Sequence, residues 1–254
     1  MKAYMKIKTL WLKSAKFFVL PALLAVSLLL GLFLMAPAAS AQENVFELGG
    51  ETSFAEGWNA AVAAADEDSH VRVNLSGDWS AENGSFGEGR GFQEGAIYVL
   101  EGADITIDLN GHVIDRGCSD EQSQKGSVII VDGTLEVIDS NPYADHTIQG
   151  SGTGFEKIVR GGIIMGGDAE QGGGVYVGAS GTLTFTDGSI YGNHATQQGG
   201  GVYVAEYGKM SLEGSHGDDL GISYNTAENG GGVYVAAGAS VTLSGGFISY
   251  NTAN

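Results

Sequence analysis

The best placed residues for acid-base chemistry stand in one short stretch, "SHGDDLG", where His216, Asp218 and Asp219 fall within four positions. Glycoside cleavage needs a carboxylic acid and a carboxylate facing each other across a bound sugar. That convergence across a groove is the harder condition, and it is not met here. All three side chains belong to one turn insertion, and no other acid falls at a spacing that sets it opposite them. Cys118 is the only cysteine, which excludes an internal disulfide. In the polar stretch "DRGCSDEQ" it reads as a loop thiol, with an intermolecular bridge as the alternative. No turn matches an EF-hand loop or a calcium-binding nonapeptide. The expectation is therefore no catalytic residue, no metal and no cofactor.

Non-covalent chemistry has better candidates. Tyr98, Tyr176, Tyr203 and Tyr234 each sit between two aliphatic residues in a strand-like triplet and point to the opposite face from them. Stacked one above another they would form an aromatic ladder, readable either as a sugar-stacking platform or as cross-strand packing. Asn193, Asn225 and Asn251 each stand three residues after an inward isoleucine, at Ile190, Ile222 and Ile248. They read as a structural ladder, because Asn tolerates a left-handed backbone and its amide can bond the amides above and below. The glycine triplets of "GGGVYV" precede a strand instead of opening a helix, which excludes a nucleotide-binding loop there.

The elements that would position these residues follow from a repeat. "GGGVYV" begins at Gly172, Gly199 and Gly230, and the spans Val177 to Leu183, Val204 to Met210 and Val235 to Val241 are all six residues. Val99 to Ile105 keeps the same spacing, and Val131 to Leu135 is a shortened relative. Val177, Val204 and Val235 are 27 and 31 apart, with "SHGDDLG" enlarging one turn and "SNPYADHTIQGSGTGFEKIVRGG" inserted earlier. A period of this length with insertions confined to turns implies a solenoid. The alternation within each unit predicts three short strands per coil of a parallel β-helix, about five coils in all. Its stacks would be Ile97, Ile129, Val175, Val202 and Val233, then Leu183, Met210 and Val241, then Ile190, Ile222 and Ile248. One amphipathic helix, over residues 54 to 66 with Thr52 or Ser53 as its cap, precedes the strands and is expected to cap them.

The leader is a separate segment. Lys2, Lys6, Lys8, Lys13 and Lys16, the apolar run Phe17 to Met35 and an A-x-A site at Ala39 and Ala41 describe a secretory signal peptide over 1–41. The apolar run is also long enough to span a bilayer, which leaves an uncleaved anchor open. The expected organisation is then a lead and capping helix over 42–70 and a β-helix over 71–254. Removing the five leader lysines leaves 7 basic against 30 acidic residues, a net charge of −23. Such a surface repels nucleic acid, anionic lipid and polyuronates, so nucleic acid is excluded as a partner and the membrane enters only through the leader.

With "IDLNGHVID", "SVIIVDGTLEVIDS" and "GGGVYV...GTLTFTDGSIYGNHA" in view, the chain resembles the large right-handed β-helix proteins exported by anaerobic, gut-type bacteria. "GGGVYV" and "FISYN" are also similar to the GGA[I/V/L] and FxxN repeats of polymorphic membrane proteins, whose passengers are surface adhesins. The likeness covers roughly Trp58 to Asn254, although the third glycine departs from GGA and only "FISYN" fits FxxN fully. It implies an all-β, right-handed parallel β-helix displayed at the cell surface or secreted, adhesive through a glycan or host-surface protein. The same fold class includes pectate lyases and polygalacturonases, and "SHGDDLG" resembles polygalacturonase motifs, so polysaccharide cleavage stays as the alternative. Uronate chemistry calls for basic residues to hold carboxylates, yet from Gly161 onward only Lys209 is basic. Finally, "GGFISYNTAN" stops inside a repeat with no polar cap. The expectation is a β-helix truncated at that end, or a coil edge through which copies of the chain associate.

Overall fold

The apolar alternation of the repeats becomes short strands, each paired in parallel and in register with its counterpart in the next repeat, as seen in a computed structural model. The structure describes residues 44–49, 53–65, 69–118, 122–149, 156–214 and 221–254, which fall within one compact unit, Glu43–Asn254. The expected leader lies outside the described residues, as do His216, Asp218 and Asp219.

Four sheets run from repeat to repeat. Ala96–Val99, Ile129–Val131, Val175–Val177, Val202–Val204 and Val233–Val235 make the first, flanked by the antiparallel Phe92–Gln93. The second holds seven strands: Asn44–Leu48, His70–Leu75, Asp104–Asp108, Thr134–Ile138, Thr182–Phe185, Lys209–Leu212 and Ser240–Leu243. Trp79–Ser80, Val113–Asp115, Ile163–Met165, Ser189–Tyr191, Gly221–Ser223 and Phe247–Ser249 form the third. The fourth consists of Asp168–Gln171, His194–Gln198, Thr226–Ala227 and Thr252–Ala253. The described chain is thus all-β apart from one helix, with parallel strands stacked in a solenoid-like manner.

The pairing reproduces the expected stacks residue for residue: Ile97 with Ile129, Ile129 with Val175, Val175 with Val202 and Val202 with Val233. Leu183, Met210 and Val241 align, as do Ile190, Ile222 and Ile248. Most of these side chains are fully buried in one continuous core. Each contributes on the order of 1.5 to 3 kcal/mol by leaving water. On the last repeat the same stacks are open, so Val235, Leu243 and Ile248 are 45%, 59% and 42% exposed where Val204, Leu212 and Ile222 are buried.

A correction concerns the number of strands. Each repeat that begins with "GGGVYV" has four, not three, because the "N-x-A" after its third strand opens a fourth. Its alanine turns inward, and Ala195 and Ala227 are wholly buried.

The glycine triplet and the asparagine explain each other. Gly172, Gly199 and Gly230 take φ of +64°, +67° and +61°, which other residues adopt only under strain. A Cβ on Gly200 would lie 2.4 Å from the Thr226 carbonyl oxygen and 2.5 Å from that of Gly231. One on Gly201 would lie 2.6 Å from the Gly232 oxygen and 2.9 Å from the Asn225 amide nitrogen. An alanine third residue therefore does not fit this backbone, which accounts for the departure from GGA. The room so made is used by the amides. Asn225 Oδ1 accepts from the Asn193 backbone N–H (2.8 Å) and from Asn193 Nδ2 (3.1 Å), while Asn225 Nδ2 donates to the Ile190 carbonyl (2.9 Å). Asn251 repeats the pattern beneath Asn225.

The helix runs from Phe54 to Ala64, with Ser53 accepting from the Glu56 N–H at 3.3 Å. Trp58, Ala61 and Val62 bury its inner face against the first two strands of the seven-stranded sheet. The long insertion is an antiparallel hairpin, Asp145–Gln149 against Glu156–Arg160. At its base the buried Asp139 carboxylate accepts from the N–H groups of Gly111 (2.7 Å), Gly162 (2.6 Å) and Asn141 (3.2 Å).

Candidate functional site

Three of the four ladder tyrosines stack as expected. Successive strands are about 4.8 Å apart, and side chains at one register position fall one above another. Tyr176 and Tyr203 have ring centroids 5.3 Å apart at 18°, and Tyr203 and Tyr234 5.5 Å apart at 5°. All three rings are half-buried and outward. Tyr98 departs from the expectation. It pairs with Ile130, which pairs in turn with Tyr176, so an isoleucine interrupts the ladder. Tyr98 instead donates its hydroxyl to Asp132 Oδ2 at 2.9 Å. Its pKa is pushed up to about 12, first by burial and then by that carboxylate. Tyr176 is raised too, by burial above all, with Tyr203 and Asp132 adding to it.

A cleft of about 510 Å³ opens at the interruption, lined by Ile130, Tyr176, Asp132, Glu170, Gln171 and Lys125 among others. Two cations border it, and both are committed elsewhere. Arg116 is fully buried and donates to the backbone carbonyls of Gly84 (3.0 Å), Glu94 (2.5 Å) and Ser127. Burial lowers its pKa. Lys125 pairs with Asp168 at 2.9 Å and donates to the Cys118 carbonyl. Asp168 also meets His194 Nδ1 at 2.7 Å. Burial pushes that carboxyl up, but its hydrogen bonds to His194 and Lys125 outweigh burial and hold it below the ordinary range. Gln171 Nε2 donates to Gln198 Oε1 (2.9 Å), and Glu170 accepts from Gln197.

Cys118 stands in a turn, as the loop-thiol expectation has it, and is buried there. It is 1% exposed, its sulfur is 3.1 Å from the Gln124 carbonyl, and burial raises its pKa, with Arg116 offsetting part of that. A buried thiol with a raised pKa is neither an activated nucleophile nor open to a partner's cysteine.

A second tyrosine stack escaped the sequence reading. Tyr191 and Tyr224 have centroids 5.2 Å apart, and Tyr224 and Tyr250 5.1 Å. Lys157 of the hairpin places Nζ 3.7 Å from the Tyr224 ring centre. Because Tyr191 pairs with Ser223, and Ser223 with Ser249, Tyr191 does not share a register position with the other two. Tyr224 and Tyr250 meet it by adopting φ of +58° and +55°, where Gly192 has +67°.

Five of the seven basic residues after the leader are thus engaged internally: Arg72 with Asp108 (2.6 Å), Arg160 with Asp145 (3.3 Å), Arg116, Lys125 and Lys157. Arg90 and Lys209 are the other two. The cleft is lined by three acids, Glu94, Asp132 and Glu170, against the two engaged cations Arg116 and Lys125. Among the described residues no cluster of three or more His, Cys, Asp or Glu could hold a metal ion, and no helix is long and apolar enough to cross a membrane. No family model matches the chain, and neither a curated protein nor a solved structure shows significant similarity to it.

Proposed function

We propose that the chain is a right-handed parallel β-helix, capped at its start by the Trp58 helix and exported to the cell surface or beyond. There it serves as a non-catalytic scaffold that binds a glycan or a host-surface protein. The observation that carries this reading is the outward stack Tyr176, Tyr203 and Tyr234, which lays three near-parallel rings along one side of a stiff support. Because the rings lie face to face, the ladder presents a row of ring edges and hydroxyls at fixed spacing, which suits the repeated polar groups of a glycan or a protein surface and loses little entropy on binding. Handedness follows from sterics, because a crossover between parallel strands of one sheet is right-handed in nearly all proteins. Export rests on the tripartite leader.

The non-catalytic part rests on the state of the acids nearest the stack. Asp132 accepts a tyrosine hydroxyl and Glu170 a glutamine amide, which supports carboxylates that act as hydrogen-bond acceptors rather than as a proton donor and a nucleophile. Purified protein should leave polygalacturonate and neutral polysaccharides intact, with or without calcium, in reducing-end and unsaturated-product assays. Product release that disappears in Asp218→Asn or Asp219→Asn would replace this reading with the polysaccharide-cleaving one.

A further inference from the structure

The interruption of the tyrosine ladder adjoins the cleft, which Ile130 and Tyr176 both line. Tyr98, Ile130 and Tyr176 occupy three successive strands at one register position, so the two tyrosine positions are separated by about 9.6 Å, twice the strand spacing. Tyr203 covers one face of Tyr176. The other face looks toward the Ile130 position, where a shorter aliphatic side chain stands in place of a ring. The cleft stands at this place, and its volume falls within the range of small-molecule sites.

We propose that this cleft takes one pyranose ring as the missing layer of the ladder, stacked on Tyr176 above Ile130, and that the preferred ring carries an amine. This rests on the glycan-binding reading and names its ligand class. The preference comes from the lining. Asp132 and Glu170 present carboxylates, and the carbonyl oxygen of the Gln171 amide adds a neutral acceptor. Arg116 spends its donors on backbone carbonyls, and Lys125 is paired with Asp168. An ammonium or hydroxyl group therefore finds acceptors, whereas a carboxylated sugar meets like charge with no cation held ready for it.

The test is calorimetric titration of the purified protein at low ionic strength with glucosamine, glucose and glucuronate. Glucosamine should bind about tenfold more tightly than glucose, the factor expected of one charge-assisted hydrogen bond, and glucuronate should not bind. Ile130→Tyr fills the layer with a side chain the neighbouring strands already accommodate. It should weaken glucosamine binding by at least about tenfold while the thermal midpoint holds or rises. Asp132→Asn keeps an acceptor for the Tyr98 hydroxyl and should bring the glucosamine and glucose affinities close together. Glucuronate binding as tightly as glucosamine, or unchanged glucosamine affinity in Ile130→Tyr, overturns the proposal. Tyr234→Ala separates this outcome from the function proposed above, because it removes part of the open stack without touching the cleft. If polysaccharide binding is lost in Tyr234→Ala while glucosamine does not bind the parent protein, the slot is wrong and the stack reading stands.

Discussion

Replacing Asp139 by alanine should lower the stability of the protein by about 3 to 5 kcal/mol, the order expected when a buried carboxylate leaves its backbone donors unpaired. Asp139 is 5% exposed and takes N–H groups from three separate segments, at Gly111, Gly162 and Asn141. It ties the turn after Val113–Asp115's preceding strand to the two ends of the hairpin insertion. Without it, Gly111 and Gly162 keep buried donors that water reaches poorly. Asp139→Asn is the informative companion. Its size is right, but one side of the amide is a donor, and facing an N–H group it should recover only part of the loss. Chemical denaturation followed by circular dichroism reads both, and an unchanged midpoint for Asp139→Ala would show that this node does not hold the insertion.

Asn225→Ala is the second large effect, at about 3 to 4 kcal/mol by the same reasoning. Asn225 is fully buried, and its truncation orphans the Asn193 N–H above it and the Ile190 carbonyl beside it. It also removes the link to Asn251 below. Asn251 is partly exposed, so water can replace some of what its side chain supplies, and Asn251→Ala should cost clearly less than Asn225→Ala. Equal losses at the two positions, measured by thermal unfolding, would contradict a ladder whose strength depends on burial.

Such residues show which parts of the molecule its sequence made legible. The six-residue spacing from Val177 to Leu183 and its repeats fixed the register, because inward residues of a parallel stack must keep their phase or lose the core. The asparagines were legible for the same reason. The fourth strand was not, since a two-residue strand such as Thr226–Ala227 buries only an alanine and reads as part of a turn. The Tyr191, Tyr224 and Tyr250 stack was hidden by its offset of one position, at which Tyr224 and Tyr250 take a left-handed backbone. The cleft depended on Arg116 and Lys125, which belong to a segment outside the repeat, and no periodicity reports on such a segment. One letter did carry a signal. Ile130 stands in "IIV" where the later repeats have "VYV", and that exchange marks the break in the ladder.

Whether the outward tyrosines form the binding surface is decided most directly by a polysaccharide-binding isotherm compared between the parent protein and the combined variant Tyr176→Ala, Tyr203→Ala, Tyr234→Ala. The probes are immobilised neutral and amine-bearing polysaccharides, with circular dichroism and the thermal midpoint confirming that the variant keeps its β structure. Each stacked ring contributes on the order of 1 kcal/mol. The account therefore predicts that the parent binds and that the variant loses affinity by about a hundredfold or more. A folded variant that binds as tightly as the parent would contradict it.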